Sequence, residues 1–210
     1  MTSLVKPRGT LDHLDAATKA LVVLSATVTG GSDREIRDAI AHAAADIPAV
    51  WVEELLLQSY LFAGFPRALN AMREWRRVVP EPVSDTTLGS VQQWRIDGEA
   101  TCAAVYGTMY DRLRSNIRTL HPLLDEWMIT EGYGKVLSRP GLDLPRRELC
   151  IVAACAAAGQ DRQLHSHLHG AVNVGVDPVV IDQVLEALAE HLDTERATSA
   201  RMLWARVRGK

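Results

Sequence analysis

Cysteine is scarce in this chain and shows no paired spacing. Cys102, Cys150 and Cys155 form an odd set without CxxC, a pattern that suits buried thiols in a reducing compartment and speaks against a disulfide framework. Positive charge is not in excess either. The 23 Lys and Arg are interspersed with 26 Asp and Glu, for a formal net charge of -3, so the basic field that neutralises nucleic-acid phosphates is missing. No apolar run approaches the ~18 residues that cross a bilayer, and the opening MTSLVKPRGTLDHLD has neither the apolar region nor the cleavage site of a signal peptide. The expected compartment is the cytoplasm, with no membrane and no nucleic-acid partner. What is present is ordinary globular composition, 47% hydrophobic and 23% charged over 210 residues, enough for one substantial core or two small ones.

The pattern predicts helices and no strands in the first third. An Ala-, Leu- and Val-rich run from Asp15 to Thr29 stops at Gly30-Gly31, and Ser32 with Glu35 three residues on has capping-box spacing for a second helix towards Ala45. Helices over about 49–63 and 66–79 follow, the last with Pro66 in its first turn. The pattern recurs from Asp143. Helices are predicted over about 144–158, 161–174, 178–191 and 194–208, with Asp177-Pro178 and Thr194 as start signals.

LVVLSATVTGGSDREI (21–36) aligns with LCIVAACAAAGQDRQL (149–164) at constant offset, and ELLLQSYLFAGFPRALNA (54–71) with QVLEALAEHLDTERATSA (183–200) after a one-residue slip. This is a degenerate duplication of a four-helix unit. The first copy occupies residues 1–82 and the second 143–210. Residues 83–142 form a connector, helical over about 91–128 and rich in turn residues over 131–145. All three belong to one compact unit. Apolar faces beyond what one chain covers predict a homo-oligomer.

The copies differ where chemistry is possible. Glu148 and His167 of the second copy align with Ala20 and Ala39 of the first, so the acid and the imidazole are not required by the four-helix unit itself. Glu148 is expected in the opening turn of its helix, where the dipole favours a carboxylate by ~0.3 to 1 kcal/mol. His165 and His169, four apart, share a face, and His167 points about 200° away from them. His165 and His169 have zinc-ligand spacing but no third ligand nearby in sequence, so they are read as surface or contact residues and no metal is expected. His167 falls on the shoulder of a stripe formed by Leu164, Leu168, Ala171 and Val172.

The stretches RELCIVAACAAAGQDRQLHSHLHGAVNVG (147–175), YGKVLSRPGL (133–142) and EELLLQSYLFAGFPRALNA (53–71) resemble the carboxymuconolactone decarboxylase family and its relatives of the alkylhydroperoxidase-D-like superfamily. The resemblance covers about Leu11 to Met202 and looks like the two-copy members. It implies an all-α, internally duplicated alkylhydroperoxidase-D-like helical bundle. The peroxidase branch uses a glutamate, a CxxC pair and a histidine. By spacing these fall on Glu148, on Gln160 and Gln163, and on His167, so both thiols are missing and the thiol–disulfide cycle cannot run.

The decarboxylase branch keeps the acid and the histidine. It implies a lyase acting on a small lactone or carboxylic acid, of the kind met in aromatic-compound degradation, without an organic cofactor because the lactone carbonyl accepts the electrons. On that reading His167 is the general acid/base and Glu148 orients it. Gln160 and Gln163 bond substrate oxygens, Arg139 and Arg147 clamp a carboxylate, and Tyr133 lines the pocket. A non-catalytic helical scaffold is the alternative, and it has no need of the Glu148–His167 pair.

Overall fold

The computed structural model describes residues 10–209. The first four helices are α1 (Ala16–Gly30), α2 (Asp33–Asp46), α3 (Ala49–Ala63) and α4 (Phe65–Val78), and the last four are α8 (Leu144–Ala158), α9 (Asp161–Asn173), α10 (Pro178–Ala189) and α11 (Thr194–Arg208). Each helix of the second set starts 128 or 129 residues after its counterpart. Local chemistry repeats with the boundaries. Asp15 and Asp143 cap α1 and α8, each accepting from the amide three residues on. Ser32 and Glu35 form the reciprocal capping box of α2. The cap of α11 is Asp193 and not Thr194, which is the first helical residue.

The two sets meet through their first helices. Arg146 reaches back from α8 to Asp15 at 3.0 Å and to the Thr18 hydroxyl at 2.8 Å. Midway along, the Ser25 hydroxyl donates to the Cys150 carbonyl at 2.7 Å, and at the far end Gly30 lies against Ala157. α1 and α8 therefore run side by side in the same direction, start against start and end against end. α8 is apolar nearly all round, and every residue from Arg147 to Ala157 is buried, as expected of a helix surrounded by others. Among the described residues the only strand-like pairing is a bridge between Leu11 and Val176, which ties the entry to α1 onto the turn between α9 and α10.

The connector departs from its prediction. It consists of α5 (Val91–Tyr106), a 3-10 turn (Gly107–Met109), α6 (Tyr110–Leu120), α7 (Pro122–Trp127) and a π-helix over Met128–Leu137. Two residues break the expected single helix: Gly107 at φ 52°, and His121, held extended because it precedes proline. The segment EGYGKVL, expected to turn, is helical instead. Its glycines serve a crossing: a Cβ on Gly134 would lie 1.9 Å from the Trp94 carbonyl oxygen, and one on Gly98 2.1 Å from that of Ile129. α5 and the π-helix touch backbone to backbone there, and α5 also packs across α9.

Candidate active site

Glu148 is the fifth residue of α8, one turn deeper than the sequence suggested, so its carboxylate is not served by the free amides of the helix start. It is fully buried, and its partner is His167 on the antiparallel helix α9, whose Nδ1 lies 2.8 Å from Oε2. Gly170, one turn beyond Glu148's partner, makes the space: a Cβ there would come within 2.6 Å of Glu148 Oε2 and 2.7 Å of Val105 on α5. Glu148 Oε1 is buried without a hydrogen-bond partner. An ionised carboxylate accepts from Nδ1–H and fixes the imidazole tautomer, which leaves Nε2 as the nitrogen able to exchange a proton.

His167 lines a cavity of about 540 Å³ between α9, the end of α3 and the connector. The Phe62 ring meets the imidazole edge-on at 5.9 Å. Leu61, Leu113, Met128 and Leu137 supply apolar wall, and Tyr106 and Tyr133 stand edge to face at 6.1 Å. Burial raises the Tyr106 hydroxyl to about 12 and pushes that of Tyr133 well above its ordinary value, so both are neutral at physiological pH. The same cause raises the Cys102 and Cys155 thiols to about 12, which leaves them protonated and poorly nucleophilic.

The remaining predicted residues separate. Tyr133 and Gln163 line the cavity. Gln160 does not; it stands at the N-cap of α9, where the Cys155 thiol points at its side-chain oxygen. Arg139 and Arg147 lie outside the cavity, and the reason is Glu54. That fully buried carboxylate takes Arg147 at 2.7 Å and Arg139 at 2.9 Å, while Gln58 and the Leu142 carbonyl occupy the other Arg147 donors. They form an ion-pair network joining α3 to the start of α8, which directs both guanidinium groups to Glu54 and away from the cavity. Val172, predicted on the apolar stripe, is 39% exposed. His165 and His169 stand edge to face at 5.0 Å beside a second cavity of about 590 Å³, and no group of three metal-binding side chains occurs among the described residues.

Sequence reasoning passed over Phe62, Tyr60, Tyr106 and Arg162, all on the cavity wall. The first three come from the first copy and the connector, and no local pattern links them to α9. Arg162, between the two glutamines, was in view. The larger cavity, about 700 Å³, lies over α1 and α2, where Ala20 and Ala39 stand at the positions of the acid and the imidazole.

Residues 123–206, which include Glu148 and His167, match the model of the carboxymuconolactone decarboxylase family. Peroxisomal protein 2 of Schizosaccharomyces pombe is 29% identical over 144 residues, 65% of this chain and 64% of its own length. Peroxisomal protein 2 of Saccharomyces cerevisiae is 22% identical, over 62% of this chain and 56% of its own. The chain thus spans less than two thirds of the length of either relative.

Proposed function

From the premise that the chain carries a carboxymuconolactone decarboxylase family domain over residues 123–206, we propose that it is a lyase that removes carbon dioxide from a small lactone or related carboxylic acid by acid/base chemistry. One observation carries the reading: a buried carboxylate oriented on an imidazole at 2.8 Å, with that imidazole on the wall of a mostly apolar cavity. In such a step the bond between the ring carbon and the leaving carboxyl breaks, and its electron pair passes through the ring into the lactone carbonyl. His167 Nε2 then delivers a proton to the ring carbon as the dienolate collapses. The balance is redox-neutral. Glu148 stabilises the imidazolium before that transfer and holds the ring in line. The apolar walls of Phe62, Met128 and Leu137 disfavour the charged leaving carboxylate relative to neutral carbon dioxide, which lowers the barrier.

The test is loss of 4-carboxymuconolactone absorbance with the purified protein, against His167→Ala. Turnover that falls by about 10²- to 10⁴-fold in the variant supports the reading. A wild-type protein that neither turns over nor binds this and related lactones removes it in favour of a helical scaffold. We propose the cytoplasm as the compartment. The relatives' name makes the peroxisome the rival, and a fluorescent fusion imaged in cells separates the two.

A further inference from the structure

Two charged side chains line the cavity, Glu131 and Arg162. Glu131 is compensated. The Tyr60 hydroxyl donates to it at 2.9 Å, and the Lys135 ammonium lies at 3.6 Å. No ion pair or side-chain hydrogen bond of Arg162 occurs among the described residues, where only its backbone carbonyl is engaged, by Ser166 at 3.1 Å.

The duplication explains why that guanidinium is unpaired. Arg162 aligns with Arg34 of the first copy, so the arginine is common to both. On α2, Arg34 faces Asp38 one turn on, at 3.8 Å, and both are exposed; Arg162 is likewise exposed where it borders the cavity. On α9 the position equivalent to Asp38 is Ser166. The second copy has kept the cation and lost its internal counter-charge on the very helix that carries His167. Arg162 and His167 are five positions apart, ~7.5 Å of helix rise, and both border the same apolar space.

Resting on the lyase reading above, we propose that Arg162 is the carboxylate-binding residue of this cavity. Its ligands are apolar carboxylic acids, held with the anion on Arg162, the hydrocarbon against Phe62 and Leu137, and the reacting carbon at His167. A planar guanidinium with all donors free suits a carboxylate better than any other side chain here. The carboxylate it grips must be one that survives the reaction. A cation on the departing carboxyl would stabilise a charge that disappears in the transition state and so slow the step. The substrate on this account carries a second acid group, remote from the bond that breaks.

The experiment is calorimetric titration of the full chain with 3-phenylpropanoate and with its uncharged amide. Wild type, Arg162→Gln, Ser166→Asp and the first-copy control Arg34→Gln are compared, each checked for native helix content by circular dichroism. Wild type and Arg34→Gln should bind the acid at least about tenfold tighter than the amide. Arg162→Gln and Ser166→Asp, which removes the charge or restores the first copy's internal partner, should abolish that preference without changing amide affinity. Absence of the preference in wild type, its survival in Arg162→Gln, or failure of both probes to bind overturns the proposal. His167→Ala separates this from the reaction. A preference that persists there, with no lactone turned over by wild type, sinks the lyase and leaves the clamp standing. Turnover without any preference does the reverse.

Discussion

Between α8 and α9 the second copy buries a carboxylate and an imidazole under α5, whereas between α1 and α2 the first copy has Ala20 and Ala39 on the wall of a cavity of about 700 Å³. Helix starts and the aspartate caps of α1 and α8 agree between the copies, so the scaffold does not need the charged pair. The cover goes with the charge. Gly170 lets Val105 and Glu148 approach within contact, and its first-copy equivalent is His42, a bulky exposed side chain that bonds its own helix. A buried Glu–His pair gains electrostatic strength only where water is excluded. The second copy supplies the pair and the α5 cover over it, and the first has alanine at both positions.

Several changes would break or sharpen this contrast. The largest effect on stability is expected at the seam between the copies. Glu54→Ala leaves Arg147 buried without its counter-charge, and chemical denaturation should show a loss of about 3–5 kcal/mol. Next is Gly170→Ala, whose methyl cannot fit beside Glu148 and Val105. It should cost about 1–3 kcal/mol, while His42→Ala at the matching position stays within about 0.5 kcal/mol. His167→Ala orphans the Glu148 carboxylate and should lower stability by a similar 1–3 kcal/mol. Adding Glu148→Ala, which reproduces the first copy's alanines, should recover part of that loss.

The smallest effect is acid sensitivity of the first copy. Burial raises Glu53, but Arg76 and the amides of Ser84 and Val83 outweigh it and hold the carboxyl at about 2. Because the folded value lies below the unfolded one, this contribution is present above about pH 4.5 and is lost as pH falls towards 2. Urea midpoints of Glu53→Gln should therefore fall less than those of wild type between pH 5 and pH 2.5.

Much of this was legible in the chain because its cause is local. Caps, glycine stops and first-turn prolines set the helix boundaries of the two copies, and the offset between them exposed Glu148 and His167 as additions. What stayed hidden depends on distance. Arg147 reads as a helix-start cation until Glu54, 93 residues earlier, is brought against it by the packing of α3 on α8. Gly132 and Gly134 read as turn residues, and only the crossing of α5 shows Gly134 as a point of contact between helices. Arg162 is an exposed charge, and only the fold shows that it borders the same cavity as His167.

The central claim is that one acid–imidazole unit in the second copy carries the chemistry. It is tested most directly by kcat/KM on 4-carboxymuconolactone for wild type, Glu148→Ala, His167→Ala and the double variant. Groups that act as a unit are non-additive, so the double variant should be no slower than His167→Ala alone. Losses that multiply, or a double variant that retains wild-type turnover, would contradict the account.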